Sequence, residues 1–527
     1  METLDHSVSE TGRTSLRRLA RNPRLFPDVV WILVVLAQLV LIWAFPRVPT
    51  QDGPVHVASA IAFRDLNEAG TSYATLFERR LEPFPNWTSH LLLAALTRVL
   101  DATVAEKVLV SFWFVLWPLG AWRLAGALGA DRGAITGVAL LLAFGRAFWL
   151  GFYNFLLGVA LALLVVAWVE ARRDSRTARD VILCMGVFLA LFFTHLGAWV
   201  LAAVLVVAIA SVSADRAQHL RRLVIGLAPS LVLVAVFVSQ AGVLESAGFR
   251  RALRGLTGPD GSPTSVGALS PLRLEWFGGH AGFSATALTV ATLAVLAALV
   301  VGAIVGAFTA RGDSGAAARR VVLAIGGCAI LAFVLGPDDL GAHAGYLRAR
   351  LALVAPLLLV AGLAATRQKA LRLGALAVLL LLNIWNLACV ASFLPAANRD
   401  LEEFTAAADV VGRGKTLVLL GEQDPGRAFD YINPNLYCLG TGNAVATNYQ
   451  AGTRHFPLQY RPGVRKAARE MTSRTRPIWT DVALLWDIAE PRPRGLTSDY
   501  VEAYRRGRLR VFTRRDESAG GEPRAPQ

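Results

Sequence analysis

The chain has 527 residues, 54% of them hydrophobic and 17% charged, with a mean hydropathy of +0.48. Its long apolar runs exclude a disordered chain and replace the soluble multidomain reading of such a length with a membrane one. The net charge of +15 comes almost wholly from arginine, the lysines being Lys107, Lys369, Lys415 and Lys466, and this arginine- and alanine-rich bias carries no footprint for nucleic acid.

In chain order, residues 1–28 hold Arg13, Arg17, Arg18, Arg21 and Arg24 ahead of an apolar run at 29–45. No small-residue cleavage site follows Trp43-Ala44-Phe45-Pro46, so the run reads as an uncleaved signal anchor with a cytoplasmic N-terminus. Further apolar runs fall near 106–126, 134–150, 154–170, 180–194, 196–212, 222–242, 283–308, 320–336, 347–366 and 372–394, which makes about eleven candidate spans within 29–395. Residues 86–100 decide the parity. Taken as a juxtamembrane helix, they leave Arg123 and Arg132, Arg172, Arg173, Arg176 and Arg179, Arg216, Arg221 and Arg222, Arg311, Arg319 and Arg320, and Arg367, Lys369 and Arg372 in short cytoplasmic segments, as the positive-inside rule requires. Loops 46–105 and 243–282 then face outward in a cell inner membrane, as does the tail.

From 396 the composition turns polar. Strand-like 416–420, 482–486 and 509–513 alternate with helical 400–411 and 498–506, which predicts a small extracytoplasmic α/β domain over 396–515 and a frayed terminus at 516–527. The fold class is therefore an all-α polytopic membrane protein with a C-terminal α/β domain. Internal repeats, the mark of many secondary transporters, are missing. Cys184, Cys328, Cys389 and Cys438 form neither a CxxC pair nor a disulfide framework. Gly412-Arg413-Gly414-Lys415-Thr416 ends like a phosphate-binding loop, but Asp409 stands where that pattern needs glycine. Asn86-Trp87-Thr88 fits a glycosylation sequon, a match too short to assign a function.

Polar residues near the membrane gather on the outer side, where they are functional candidates. Pro54 suits a first helical turn, which leaves Asp52 just before a helix N-terminus, either as a cap or as a catalytic carboxylate. His56 lies one turn on and shares its surface. His90, His195, His280 and His343 map to the same side. They read as pocket or interfacial histidines, or as ligands of a divalent metal, although no HExxH spacing supports one. Asn154, in the turn Gly151-Phe152-Tyr153-Asn154, either caps the following helix or lines a pocket. Arg348 and Arg350 enter the membrane from outside, where an arginine beside a helix N-terminus receives phosphate or else snorkels to lipid headgroups. Positions two apart point differently, so one of the pair serves a given phosphate.

An anchor, an outer loop with an acidic residue soon after the first span, juxtamembrane helices, some ten further spans and an outer α/β tail together resemble the GT-C glycosyltransferases. These polyprenyl-phosphate-sugar-dependent membrane enzymes include protein mannosyltransferases and aminoarabinose transferases. Asp52 in Thr50-Gln51-Asp52-Gly53-Pro54-Val55-His56 matches the family's first-loop acidic motif in position, and 479–513 looks like the outer domains of bacterial members. The chain departs from the family where the second outer loop often carries another acid, for Tyr153-Asn154 stand there instead. The resemblance implies an inverting transfer from a lipid-linked sugar to a glycan, lipid or protein hydroxyl. Asp52 would be the base, Arg348 or Arg350 would hold the donor phosphate, and His56, Asn154, His195 or His343 would line the substrate. The alternatives are a non-catalytic relative that scaffolds envelope assembly and a polytopic transporter.

Overall fold

The computed structural model describes residues 25–175, 177–240, 286–309, 315–335, 345–364, 368–421, 430–472, 478–488 and 496–515. The N-terminal arginines, the outer loop 243–282, His280, His343 and the terminus 516–527 lie outside the described residues.

The chain is mostly helical. Its longer helices are α1 (Leu25–Ala44), α2 (Gly53–Arg64), α3 (Thr88–Leu96), α4 (Ala102–Ala127), α5 (Arg132–Leu142), α6 (Tyr153–Ala171), α7 (Ala178–Thr194), α8 (Leu196–Ser211), α9 (Arg216–Gln240), α10 (Thr286–Thr309), α11 (Ala316–Leu335), α12 (Leu347–Ala361) and α13 (Lys369–Thr405). Among the described residues seven helices are long and apolar enough to cross a membrane. Each expected apolar run overlaps helix among the described residues. Several of those helices are short, however: α5 has 11 residues, α12 has 15, α8 has 16 and α7 has 17.

Helix α1 shows why these faces suit lipid. Trp31, Val34, Gln38 and Ile42 recur at helical spacing and are buried, whereas Ile32, Leu33, Leu36 and Val40 are between 51% and 65% exposed. A continuous apolar stripe would cost about 25 cal/mol per Å² in water and nothing in hydrocarbon. In the interior α4 packs on α6, and Gly120 lets the backbones close: a Cβ there would lie 2.9 Å from the Ala160 carbonyl.

The expected span 134–150 is not one helix. It breaks after Leu142 and resumes as a single turn, Arg146–Trp149. The indoles of Trp113 and Trp117 donate to the carbonyls of Ala143 (2.9 Å) and Ala139 (2.8 Å), so backbone acceptors near the break are satisfied from α4. Buried backbone of this kind is tolerated at membrane depth because protein, not lipid, surrounds it.

The tail forms a five-stranded sheet. Strands β2 (Thr416–Leu420), β3 (Ala444–Val445), β5 (Val482–Trp486), β6 (Tyr500–Arg506) and β7 (Leu509–Arg514) lie in the order β3-β2-β5-β7-β6, with β2 parallel to β3 and β5. The three predicted strands are present. The predicted helix at 498–506 is instead β6, antiparallel to β7 across a turn in which Gly507 takes φ +56°. Glu502, Ala503 and Arg505 favour helix in isolation, but pairing with β7 decides the outcome. The predicted helix at 400–411 is largely the continuation of α13, which runs unbroken to Thr405. A further strand pair, β1 (Phe77–Arg79) with β4 (Leu458–Tyr460), joins the first loop to the tail.

Candidate functional site

Asp52 sits where the sequence places it, at the N-cap position of α2, yet its side chain caps nothing. The preceding loop is held by two backbone bonds, Gln51 N–H to the Trp149 carbonyl (2.9 Å) and Asp52 N–H to that of Leu150 (3.2 Å). Gly151 makes this approach possible: it takes φ +75° and carries no Cβ to strike the Asp52 and Gly53 amides. The half-buried carboxylate accepts a hydrogen bond from the Tyr449 hydroxyl of the tail (2.9 Å). Burial pushes Asp52 up from its ordinary 3.8 to about 7, although the Tyr449 and Gln51 hydrogen bonds favour the anion.

His56, one turn into α2, is buried against His90 of α3, with ring centroids 5.1 Å apart. The amide of Gln450, wholly buried, lies 3.1 Å from His56 Nδ1 and 3.0 Å from His90 Nε2. Burial lowers His56 well below the usual imidazole range and His90 to about 4, so both rings are neutral at pH 7 and serve as hydrogen-bonding groups.

A second acid stands close by. Glu106 of α4, 4% exposed, accepts from the Tyr153 hydroxyl (2.6 Å), and that oxygen lies 3.0 Å from Thr50 Oγ1. Gly53 packs directly over the three groups, where any Cβ would collide with them. Glu106 is absent from the candidates read from the sequence. The signal was there, in an adjacent Glu106-Lys107 pair at the start of an apolar run, and charge inside a span is a functional flag. Tyr449 and Gln450 were missed for another reason, since they come from a tail loop whose composition looks ordinary.

Asn154 fills a capping role, but for a different helix. Its Oδ1 accepts from the Ser89 N–H in the first turn of α3 (2.9 Å), and its amide donates to the Asn86 carbonyl (3.2 Å). Replacing it with alanine strands both groups, at a cost of about 2 kcal/mol. The measurements are the melting temperature of Asn154→Ala and hydrogen exchange across 86–91, which is expected to quicken; unchanged exchange there would count against this anchoring role.

His195 lies elsewhere. It caps the start of α8, accepting from the Gly197 N–H (3.0 Å), and faces a largely apolar cleft of about 440 Å³ between α6, α8 and α12. Phe155, Val200, Val204, Leu351 and Val354 line its walls, and Arg350, His195, His455 and Asn86 are its polar groups. Asn86 takes φ +73°, and its buried Oδ1 has no hydrogen-bond partner among the described residues. The Arg350 guanidinium stacks 5.2 Å over Phe152 and 5.6 Å over Phe155. Arg348 is buried and does not line the cleft, so the two arginines diverge as their spacing requires. Asp52 and His56 do not line it either. Phe152 stands between, its neighbour Gly151 pressed on Asp52 and its ring under Arg350. Phe456 forms a second partition, 6.1 Å from Tyr449 and 4.8 Å from His455. His343 falls outside the described residues.

Among the described residues no group of three or more His, Cys, Asp or Glu side chains gathers to hold a metal ion. No protein-family model matches this chain, and no curated protein sequence matches it either.

The Asp52 carboxyl has a pH signature. Tyr449 faces it directly, Gln51 also hydrogen-bonds it, and Tyr153 lies near enough to feel its charge. Its pKa is higher folded than unfolded, so its contribution to stability is full below about pH 4 and is lost as pH rises through about 7. The gap in melting temperature between Asp52→Asn and the parent chain is expected to widen over that interval and level off above it. A gap independent of pH would mean an ordinary, solvated aspartate.

Proposed function

We propose that this chain is a membrane glycosyltransferase that moves a sugar from a polyprenyl-phosphate donor to an acceptor hydroxyl on the extracytoplasmic side, with inversion at the anomeric carbon. The observation that carries the reading is the Asp52 carboxylate. It is released from helix capping, held by Tyr449 and raised to about 7, with Phe152 between it and an apolar cleft whose polar groups include the Arg350 guanidinium.

A base with its pKa near ambient pH best combines ionisation with proton affinity. Asp52 accepts the acceptor hydroxyl's proton as the oxygen attacks the sugar. Arg350 neutralises the departing phosphate from the cleft side of Phe152, a charge-assisted contact of the strong kind. The apolar walls between α6, α8 and α12 suit a polyprenyl chain, and Asn86 Oδ1 and His195 are polar groups for the sugar end. His56, His90 and Gln450 orient the acceptor side without carrying charge.

A polyprenyl phosphate bearing a photoreactive group on its isoprene chain tests the reading. Crosslinks are expected at Val200, Val204 or Leu351, reduced about tenfold by Arg350→Gln, which removes one charge-assisted contact. Crosslinks confined to the lipid-facing side of α1 would reject the cleft as a donor site.

A further inference from the structure

A second hollow, of about 640 Å³, opens on the tail and is lined by Arg80, Arg461, Arg465, Lys466 and Arg469 against two carboxylates, Glu78 and Glu470. The fold concentrates this charge. Arg80 follows β1 and Arg461 follows β4, so the antiparallel pairing sets these two cations at opposite ends of the short ladder, Arg80 beside Pro457 and Arg461 beside Leu76. The helix Val464–Thr472 adds the other three. Arg465 and Arg469, both exposed, are one turn apart on it, about 6 Å along the axis. Backbone carbonyls hold the guanidinium groups without neutralising them: Arg80 donates to Thr453 (3.0 Å), Arg461 to Ala74 (2.8 Å) and Arg465 to Gly452 (2.7 Å). The carboxylate contacts of Arg80 with Glu82 and of Lys466 with Glu470 are both 4.0 Å long. Crowding is evident at Arg465, which burial, Arg469 and Arg454 all push down.

The groove adjoins the site. Ala451 lines it, and the preceding residue, Gln450, lies between His56 and His90. Cations spread over two strand ends and a helix, with Arg465 and Arg469 one turn apart, match a chain with a charge on each repeat better than a single small anion, which needs donors that converge on one point. The trough is concave, whereas a flat bilayer surface is met by a convex or planar patch.

We propose that this groove binds an anionic polysaccharide, with phosphate or carboxylate on successive repeats, and presents it to the Asp52 site as the acceptor. The acceptor role rests on the transfer reaction proposed above; the binding itself does not.

The test uses the full chain in phosphatidylcholine nanodiscs with fluorescein-labelled dextran sulfate, and neutral dextran of the same length as the comparison. Dextran sulfate is expected to bind, more weakly as salt rises, and R465E/R469E should weaken it at least about tenfold. R505E/R506E, which reverses two arginines on β6 outside the groove, should change it less than about twofold. Equal losses in the two double variants would reduce the effect to overall charge and overturn the proposal. Equal binding of neutral dextran would also overturn it. So would phosphatidylglycerol vesicles competing as well as free dextran sulfate, which would assign the groove to lipid. The D52N chain should bind the polymer as the parent does, so a failure of transfer and a failure of polymer binding are read separately.

Discussion

Asparagine at position 52 is expected to lower sugar transfer by about 10³-fold, the usual worth of a positioned general base, with the protein still inserted and folded. Asparagine keeps the shape of the side chain and an oxygen for the Tyr449 hydroxyl, so the loss isolates proton acceptance. Glu106 cannot substitute, because it is already engaged by Tyr153 on the far side of Gly53. The fall should appear in kcat and leave the donor KM nearly unchanged, since the phosphate contact we propose belongs to Arg350, whose guanidinium lies over Phe152. Tyr449→Phe sharpens the assignment. Its hydroxyl stabilises the ionised form, so its removal raises the pKa of Asp52 and moves the rising limb of the pH–rate profile to higher pH. If D52N retains transfer within a factor of about ten, the base lies elsewhere. A non-catalytic scaffold would be indifferent to the change altogether.

Alanine at position 151 is expected to be nearly as damaging, by a different route. The residue takes φ +75°, and a Cβ there would lie 2.7 Å from the Gly53 nitrogen and 2.9 Å from that of Asp52. The left-handed backbone and the overlap together cost about 3 kcal/mol. The obstacles are backbone atoms in the segment that aims the carboxylate, so the chain can relieve the clash only by moving Asp52. Gly151→Ala should therefore lose both melting temperature and transfer. Gly374→Ala, where a Cβ meets nothing within 4 Å, supplies the control. A fully active Gly151→Ala would show that the 48–52 loop is not positioned by this contact.

Apolar run length carried much of the architecture, because a helix in lipid must satisfy its own backbone and so writes its length into the sequence. It could not reveal the break after Leu142, since the tryptophans that satisfy the carbonyls there come from another helix. In the tail, 416–420, 482–486 and 509–513 were legible as strands from local pattern, while 500–506 was not, because its partner β7 outweighs its own preferences. At the site, Asp52 and His56 were legible from the Pro54 helix start. Tyr449 and Gln450 had no local mark; only the folding of the tail against the loop gives them a role. Asn154 was read as a cap of the helix that follows it or as a pocket residue, whereas its side chain caps α3, which local pattern within 151–154 could not show.

The pairing of β1 with β4 also bears on how the protein is made. Arg80 and Gln459, bonded beside that ladder, are 379 positions apart, with most of the hydrophobic helices threaded between them. A ribosome exposes the front partner long before the rear one exists. The loop bearing Asp52 must therefore wait, unfinished, until the last helix has been inserted and the tail has emerged. A nascent chain stalled before residue 449 has Asp52 and His56 without the Tyr449 and Gln450 side chains that hold them in the finished fold.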